Sequence, residues 1–333
     1  MIGCCESHKN NCCLKTPHLS DVLCIYHSKE RTEYTQKLLD ILKAKIVPGP
    51  RTFGFEYEFI SSTPLDLEIM NRIYMFLPET GFSRNNTSFV HESGMYIDFE
   101  PGGQIEFHSP PLLKGEDENL NKYLSIIKEV VDAINLKLGI EYVARGYIPD
   151  RMASPLCLDA ERYINLHKRL ALYGTRGLEM MKGTASIHFH VGIKDLDELP
   201  ELFGTLIGIS EMDAFKMGTD RREIWDNTDP ERCGQAFHID DGDTPFDVVE
   251  KIVDHTIHAA HIGENKPFIE TQDLSFDAFM YHLTTIFTDI RLNIKGPSLE
   301  LRTTDSVPFD QFKIKWDKFV SILDNRTILE SGI

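Results

Sequence analysis

Polar and apolar residues alternate along several short segments of the chain, and the longer segments between them repeat their apolar residues with helical spacing. The alternation is clearest at residues 52–60, where Phe53, Phe55 and Phe59 lie between polar, acidic or small neighbours. A period of two residues is typical of a strand with one buried face. The same pattern predicts further strands at residues 95–100, 104–108, 140–148, 184–192 and 298–303.

Helical periodicity fills most of the remaining chain. A first helix is predicted from near Ser28 to the stop at Val47–Pro50, where two prolines and a glycine interrupt the pattern. Further helices are predicted at residues 66–77, 117–138, 159–172, 176–182, 196–217, 245–259, 275–287 and 309–324. Because strands and helices do not alternate strictly and several strands are half polar, the pattern favours an α+β fold with an antiparallel sheet, one face of which lines a site.

The chain shows no internal repeat and no clear linker, so residues 29–333 are predicted to form a single domain. Residues 1–28 are a polar appendage that holds five of the seven cysteines. These are Cys4, Cys5, Cys12, Cys13 and Cys24, with His8, His18 and His27 among them. Thiolates and imidazoles are zinc ligands, but adjacent Cys-Cys pairs do not have the usual zinc spacing. A flexible or packed appendage is therefore favoured over a zinc site.

Charge and composition exclude several classes of protein. The formal net charge of −17 argues against a non-specific nucleic-acid binder, which needs basic surface against phosphate. No apolar run approaches the length of a membrane span, and the N-terminus does not resemble a secretory signal. A cytoplasmic protein without a nucleic-acid or membrane partner is expected.

Polar side chains two residues apart share one face of a strand, and four predicted strands place carboxylates or imidazoles in this way. The positions are Glu56 and Glu58; Gln104, Glu106 and His108; Ser186, His188 and His190; and Glu300 with Arg302. A solvated sheet face explains any one pair. Taken together, these residues predict a concentration of negative charge, which is costly unless cations compensate it. Magnesium fits if phosphate oxygens complete its octahedron.

Arginines supply a second part of a nucleotide site. Arg221, Arg222 and Arg232 lie within the segment RREIWDNTDPERCG and are candidates for bidentate contacts with phosphate or carboxylate. The alternative is an ordinary charged helix end. The chain has neither a GxxxxGK[ST] loop nor a GxGxxG fingerprint, so the nucleotide folds that carry them are unsupported.

Several segments occur in an order that resembles glutamate–cysteine ligases of the plant and proteobacterial branch and the related ligase of ergothioneine synthesis. They are FGFEYEF, FEPGGQIEFHS, the stretch from Arg162-Tyr163 to MMKGTASIHFHVGI, IWDNTDPERCG and SLELRTTDS. The resemblance covers about residues 50–306. It implies the fold of glutamine synthetase and its relatives, a curved, mainly antiparallel sheet with helices on its outer face, and makes residues 29–333 a catalytic domain.

The resemblance also implies roles for individual residues. The implied metal ligands are Glu56, Glu58, Glu106, His188 and Glu300. The implied substrate or ATP contacts are Glu100, Gln104, Trp225, Arg222 and Arg162. The implied catalytic residues are Arg221, Arg232 and Arg302. This chain departs from the family pattern at Gly192, in place of an Asp, and at Cys233, in place of a Thr, which leaves the acceptor amino acid open.

The implied activity is an ATP- and Mg²⁺-dependent ligase that joins glutamate, through an acyl phosphate, to an amino acid, with cysteine the first candidate. Two or three Mg²⁺ ions are implied, with Mn²⁺ as an alternative. The partners are then small molecules: glutamate, an amino acid or amine, and ATP. Three other readings stay open: a ligase for another amine, a phosphotransferase on the same fold, and an inactive binding protein. The sequence gives no oligomeric state.

Overall fold

The computed structural model describes residues 19–235 and 237–330, which form helices α1–α10 and strands β1–β12. The helices are α1 Leu19–Lys45, α2 Leu67–Phe76, α3 Asp117–Leu138, α4 Glu161–Leu172, α5 Gly177–Gly183, α6 Leu199–Ser210, α7 Thr219–Asp226, α8 Pro245–His258, α9 Phe276–Leu283 and α10 Phe309–Glu330. The strands are β1 Thr52–Ser61, β2 Phe82–Asn85, β3 Ser88–His91, β4 Tyr96–Phe99, β5 Ile105–His108, β6 Leu112–Leu113, β7 Tyr142–Val143, β8 Ser186–Gly192, β9 Cys233–Gly234, β10 Phe287–Thr288, β11 Ile290–Asn293 and β12 Ser298–Asp305.

One ten-stranded sheet organises the molecule. Its main order is β11–β12–β8–β1–β5–β4–β3–β2, and β6 and β7 pair with the two ends of β1. Every pairing in this sheet is antiparallel, whereas β9 and β10 form a separate parallel pair. The predicted α+β class with a mainly antiparallel sheet is therefore confirmed.

The apolar face of the central strands packs against α10. The ring of Phe55 contacts Phe312 edge-on at 4.9 Å between centroids, and Phe189 stacks on Phe319 at 5.1 Å. Burial of each such ring stabilises the fold by roughly 1.5–3 kcal/mol. Because successive side chains of a strand point to opposite faces, this packing turns Glu56 and its alternate neighbours to the other face of the sheet.

The turn between β4 and β5 explains the Pro-Gly-Gly segment. Gly103 has φ +82°, and a Cβ there would lie 2.9 Å from a side-chain carbon of Leu65. A Cβ on Gly102 would lie 2.6 Å from the backbone of Lys182. Only glycine meets both demands, so the predicted hairpin between residues 95–100 and 104–108 is confirmed, with Phe99 opposite Ile105.

Most predicted elements are present, but several boundaries differ. Helix α1 begins at Leu19 rather than near Ser28, and the strand predicted at residues 140–148 shortens to β7. The helix predicted at residues 196–217 ends at Ser210. There the chain leaves the helix to bring the Phe215 carbonyl to Thr303, whose hydroxyl donates to it at 2.9 Å. A tertiary contact overrides the local pattern in this case.

Six strands of two to four residues were not predicted, namely β2, β3, β6, β9, β10 and β11. The hairpin of β2 and β3 turns at Asn86, which has φ +55°, a conformation that asparagine adopts more readily than most residues. Strand β11 has only four residues, too few for periodicity to be recognised. The helix predicted at residues 275–287 ends at Leu283, which leaves room for β10.

The N-terminal candidates for a zinc site lie outside the residues whose side chains the structure describes, so that alternative stays a prediction. Among the described helices, none is both long enough and apolar enough to cross a membrane.

Candidate active site

Strand register brings the predicted metal ligands together on one face of the sheet. Glu58 lies opposite Glu106 on β5, and Glu56 lies opposite His188 on β8. Glu300 on β12 lies opposite His190. Four strands that are far apart in sequence therefore bring their carboxylates and imidazoles close together. All of these side chains are at least largely buried, and Glu300 is fully enclosed.

Glu56 is the hub of this face, because its carboxylate meets three imidazoles. One oxygen lies 2.6 Å from Nδ1 of His188, and the other lies 3.3 Å from Nδ1 of His108 and 3.4 Å from Nε2 of His190. Burial acts to raise the pKa of Glu56, but the three neighbouring rings hold it well below its usual value. Glu56 is therefore ionised at neutral pH.

His108 lies between two carboxylates. Its Nε2 is 3.0 Å from an oxygen of Glu106, and its ring stacks on Tyr96 at 4.0 Å between centroids. Burial acts against a charge on this ring, but Glu106 and Glu56 hold the pKa of His108 well above its usual value. Without a bound metal, this imidazolium offsets part of the surrounding negative charge.

Glu58 accepts a hydrogen bond from the backbone N–H of Ser186 at 2.6 Å, and its other oxygen lies 3.5 Å from Nε2 of His188. Burial raises the pKa of Glu58. Burial also lowers the pKa of His188, and the positive charge of Arg302 lowers it further. His188 is thus a neutral imidazole, the form in which histidine binds metals.

Glu300 has its own counter-ions. Arg291 on β11 donates two hydrogen bonds to its carboxylate, one of them at 2.8 Å, and Arg302 approaches it to 3.5 Å. Burial acts to raise the pKa of Glu300, but Arg291 holds it below the usual value.

The Pro-Gly-Gly turn places two further predicted residues at the site. Glu100 lies near Glu106 and Glu58, and burial together with repulsion from these two carboxylates raises its pKa well above the usual value. Gln104 is buried, and its amide nitrogen donates to the carbonyl of Thr184 at 2.8 Å. Its Oε1 has no hydrogen-bond partner among the described residues, so it offers an acceptor to a ligand.

A cavity of about 540 Å³ is lined by Glu56, Glu58, Glu100, Gln104, Glu106, His108 and His188. Its walls also include Arg162, Trp225 and Arg302, together with apolar side chains of α4 and α5. A neighbouring cavity of about 340 Å³ shares Glu56 and His108 with it. Spaces of this size accommodate small molecules.

Two of the predicted arginines are fully buried away from this cavity. Arg221 is fully buried and donates to the carbonyls of Thr304 and Arg302 and to Asp305. Arg232 is also fully enclosed and pairs with Asp229 at 2.9 Å. Both guanidinium groups are occupied by the protein itself.

Arg222 is only partly exposed and pairs with Asp226 and Asp289, each at 2.9 Å. It does not line the cavity of about 540 Å³ either. The segment RREIWDNTDPERCG therefore contributes to the cavity wall through Trp225, while its arginines hold neighbouring elements together.

The donor atoms fit divalent metal. Two groups of three donors, one from Glu56, Glu106 and His188 and one from Glu56, His190 and Glu300, have their atoms within 4.8 Å of one another. Ligands about 2 Å from a common ion lie at such separations. Within the described chain, Glu56 and Glu106 form ion pairs only with histidines, so a cation between them would relieve their repulsion.

The roles implied by the family resemblance did not include Arg291, His108 or His190. The two histidines carried a signal, because they share a strand face with Glu106 and His188. Arg291 carried none, since its strand was not recognised and its pairing with Glu300 depends on the register of β11 and β12.

Comparison with known proteins supports the family resemblance. Residues 52–207 match the family model described as Glutamate-cysteine ligase family 2 (GCS2). The matched region runs from β1 into α6 and contains Glu56, Glu58, Glu100, Glu106 and His188. No curated protein matches the chain.

Proposed function

Because residues 52–207 match the model of Glutamate-cysteine ligase family 2, we propose that the chain is an ATP- and Mg²⁺-dependent ligase that forms a γ-glutamyl amide. The convergence of buried carboxylates and imidazoles from four strands beside a cavity of about 540 Å³ carries this proposal. Glutamate is the proposed carboxylate donor, and cysteine is the first candidate for the amine acceptor.

The reaction has two steps. A carboxylate oxygen of glutamate attacks the γ-phosphorus of ATP, which forms an acyl phosphate and releases ADP. The acceptor nitrogen then attacks the acyl carbon, loses a proton, and phosphate leaves. The first step is needed because a carboxylate is a poor acyl donor.

The residues of the cavity suit this chemistry. Glu56, Glu58, Glu106, His188 and Glu300 would hold Mg²⁺. The metal, when bound, would neutralise phosphate charge and orient the transferring group. Arg302 lies in the cavity wall, within 3.5 Å of Glu300, and would offer its guanidinium to a phosphate or carboxylate.

Other wall residues would bind the organic substrates. Arg162 and Trp225 line the same cavity, and the free Oε1 of Gln104 would accept a hydrogen bond from a substrate amine. Arg221 and Arg232 would act indirectly, by fixing the elements that carry β12 and Trp225. We also propose that residues 29–333 form a single catalytic domain in the cytoplasm and that residues 1–28 are an appendage to it.

An isotope experiment tests the proposal. The full chain is incubated with ATP, Mg²⁺, glutamate labelled with ¹⁸O in its carboxylates and a panel of amino acids, and the products are analysed by mass spectrometry. A ligase transfers one ¹⁸O atom from glutamate to inorganic phosphate and forms an amide. A phosphorylated product without an amide would indicate a phosphotransferase, and ATP that stays intact with every acceptor would contradict the proposal.

The acceptor panel also decides between cysteine and another amine. An amide formed only with a different amino acid or amine would keep the ligase and replace its acceptor.

A further inference from the structure

The cavity of about 540 Å³ has two unlike walls. One is the polar sheet face that carries Glu56 and its neighbours. The other, which we term the apolar wall, is built from α4, α5, α7, α9 and β10, and phosphoryl transfer at the sheet face does not explain it. The apolar wall includes Leu166, Met180, Met181, Trp225, Leu283 and Phe287.

Much of the apolar wall belongs to a small hydrophobic cluster that is separate from the main core. Leu166, Met181 and Trp225 are buried members of this cluster, and Phe287 packs against it. The rings that support the sheet, such as Phe189, belong to the main core instead. Because a ligand that contacts apolar surface removes it from water, this wall favours an apolar group. Methionine side chains adapt readily to the shape of such a group.

Trp225 also carries an unused polar atom. The residue is more than nine-tenths buried, and its Nε1 has no hydrogen-bond partner among the described residues. The guanidinium of Arg221 lies over the indole at 5.2 Å from the ring centroid, which holds the ring in place. A buried indole N–H normally donates to a partner, so Trp225 indicates that a ligand is missing from the cavity that it lines.

A cation lies beside the apolar wall. Arg162 on α4 lines the cavity, and one of its terminal nitrogens donates to the carbonyl of Thr284 at 2.7 Å, next to Leu283. Its Nε has no hydrogen-bond partner in the part of the chain that the structure describes. A guanidinium binds a carboxylate well. An α-amino acid with an apolar side chain would satisfy both features, since its carboxylate would pair with Arg162 while its side chain contacts the wall.

The departure from the family pattern at Cys233 falls behind the same wall. Cys233 lies opposite Phe287 in the pair of β9 and β10 and packs against the same cluster. Burial raises the pKa of its thiol, so the side chain is neutral and behaves as a small hydrophobic group. A cysteine in place of a threonine therefore makes the support of Phe287 more apolar.

We propose that the apolar wall holds the side chain of the amine acceptor and that this acceptor is an α-amino acid with a large apolar side chain, such as leucine, methionine or phenylalanine. This inference rests on the proposed function and names the acceptor class that the family resemblance leaves open. Glutamate and the triphosphate carry charges that are costly to place against apolar surface, and they suit the polar wall. The side chain of cysteine is short and would leave most of the apolar wall uncovered.

The adenine ring of ATP is the competing occupant. The neighbouring cavity of about 340 Å³ offers it a separate space, with Lys45 and Lys194 in the lining. Lysines suit the charge of a nucleotide, whereas they are less useful to the side chain of an apolar amino acid. The experiments below distinguish the two occupants.

A series of acceptors tests the proposed class. The full chain is given ATP, Mg²⁺ and glutamate with one acceptor at a time, from glycine and alanine through cysteine to leucine, methionine and phenylalanine. One methylene group in an apolar pocket changes kcat/KM by about tenfold or more, so leucine should exceed alanine by about 100-fold or more. A series in which cysteine is the best acceptor, or in which side-chain size has no effect, would overturn the inference.

Leu283→Phe tests the wall itself. Leu283 is half-buried at the end of α9, and a larger ring there would fill part of the cavity. The preference for leucine over alanine should fall by about tenfold or more, through a higher KM for leucine, while alanine is used as before. The matched control is Leu136→Phe, because Leu136 is 82% exposed on α3, and it should keep the wild-type preference. A higher KM for ATP with an unchanged acceptor preference would place adenine on the wall and contradict the inference.

Calorimetric titration of the full chain with leucine and with alanine separates this inference from the proposed function. If the ligase function is wrong, no acceptor forms an amide, although leucine would still bind more tightly than alanine and Leu283→Phe would weaken its binding. If only the acceptor class is wrong, an amide forms with cysteine or another small amine, and leucine binds no more tightly than alanine.

Discussion

Two groups of buried charges in this molecule are neutralised in different ways. In the first, which we term the arginine group, Asp229 accepts hydrogen bonds from Arg169 at 2.6 Å and from Arg232 at 2.9 Å, and all three side chains are fully enclosed. Glu231 accepts from Arg169 at 2.9 Å and balances the second arginine. The arginine group therefore needs no charge from outside the protein.

The second, which we term the carboxylate face, consists of Glu56, Glu58, Glu100, Glu106, Glu300 and the histidines among them. Within the described residues, Glu56, Glu58 and Glu106 form ion pairs only with histidines. Like charges this close oppose ionisation. Burial raises the pKa of Glu58, and burial together with repulsion from neighbouring carboxylates raises the pKa values of Glu100 and Glu106. The comparison indicates that enclosure alone does not mark a ligand site, whereas enclosed carboxylates in excess of the cations around them do.

The largest expected effect breaks the arginine group. Asp229→Asn would leave two enclosed guanidinium groups without their shared carboxylate, and breaking such a buried pair costs about 3–5 kcal/mol. Asp226→Asn is the matched control, because Asp226 is exposed and pairs with Arg222 on the surface, where a pair contributes about 0–1 kcal/mol. Urea unfolding measures both. Equal stability of the two variants would show that the arginine group is not structural.

The carboxylate face should respond in the opposite way. Glu58→Gln keeps an oxygen that can accept from the N–H of Ser186, but it removes one charge from a repelling set. Turnover should fall by about 10²–10³-fold, the scale of losing one electrostatic contact to the transition state. Stability of the metal-free protein should stay level or rise. An ADP-release assay and a melting curve provide the measurements, and near-normal ADP release would contradict the metal-ligand assignment.

Glu300→Gln separates the effect on turnover from the effect on stability within the carboxylate face. Glu300 alone among these carboxylates is held by Arg291 through two hydrogen bonds, so its removal leaves a guanidinium without its partner. We expect turnover to fall as in Glu58→Gln, while the metal-free protein loses stability. Melting curves recorded with a chelator present show whether the two substitutions change the stability of the metal-free protein in opposite directions. A Glu300→Gln protein as stable as Glu58→Gln would show that Arg291 is not an effective counter-ion.

Local sequence pattern predicted much of the carboxylate face and little of its counter-ions. Glu56 and Glu58 could be assigned to one strand face because side-chain direction depends only on the two-residue period. The partner of Glu300 could not be predicted, since Arg291 lies on a four-residue strand whose register is set by the fold. Arg232 was predicted to contact a ligand, but an arginine three residues after Asp229 pairs with it instead. The composition of a segment does not show whether its arginine contacts a ligand or pairs with a carboxylate of the protein.

Ligand binding gives a smaller effect on stability. At a concentration of Mg²⁺-ATP about 100 times its Kd, wild-type protein should gain about 2.7 kcal/mol. Glu58→Gln should gain less because its affinity for the metal is lower, and Asp226→Asn should gain as much as wild type. Thermal shifts with and without Mg²⁺-ATP measure this, and a chelator should remove the gain. Equal shifts for Glu58→Gln and wild type would place the metal elsewhere.

Single histidines show the same contrast between the two regions. His108 lies between carboxylates, which outweigh burial and raise its pKa well above the usual value. His282 is fully buried near the arginine group, where burial, followed by the charges of Arg232 and His261, lowers its pKa to about 3. Its Nε2 lies 3.0 Å from the carbonyl of Thr256, to which it donates, and its Nδ1 has no hydrogen-bond partner among the described residues. A second proton on this ring would therefore be unpaired.

The smallest predicted effect is the contribution of His282 to the pH dependence of the free energy of unfolding. Folded His282 stays neutral down to about pH 3, whereas the unfolded ring binds a proton below about pH 6.5. The unfolded state then holds more protons, so its contribution is complete above about pH 6.5 and is lost as the pH falls. Each pH unit corresponds to about 1.4 kcal/mol, so close to 2 kcal/mol should be lost by about pH 5.

In His282→Gln the side-chain amide can still donate to the Thr256 carbonyl but does not titrate, so the decline in unfolding free energy between about pH 7.5 and pH 5 should be shallower by that amount. His258→Gln, on the exposed end of α8, is the control and should decline as steeply as wild type. Urea unfolding across this range compares the three proteins, and equally steep declines would mean that His282 is not held neutral beside the arginine group.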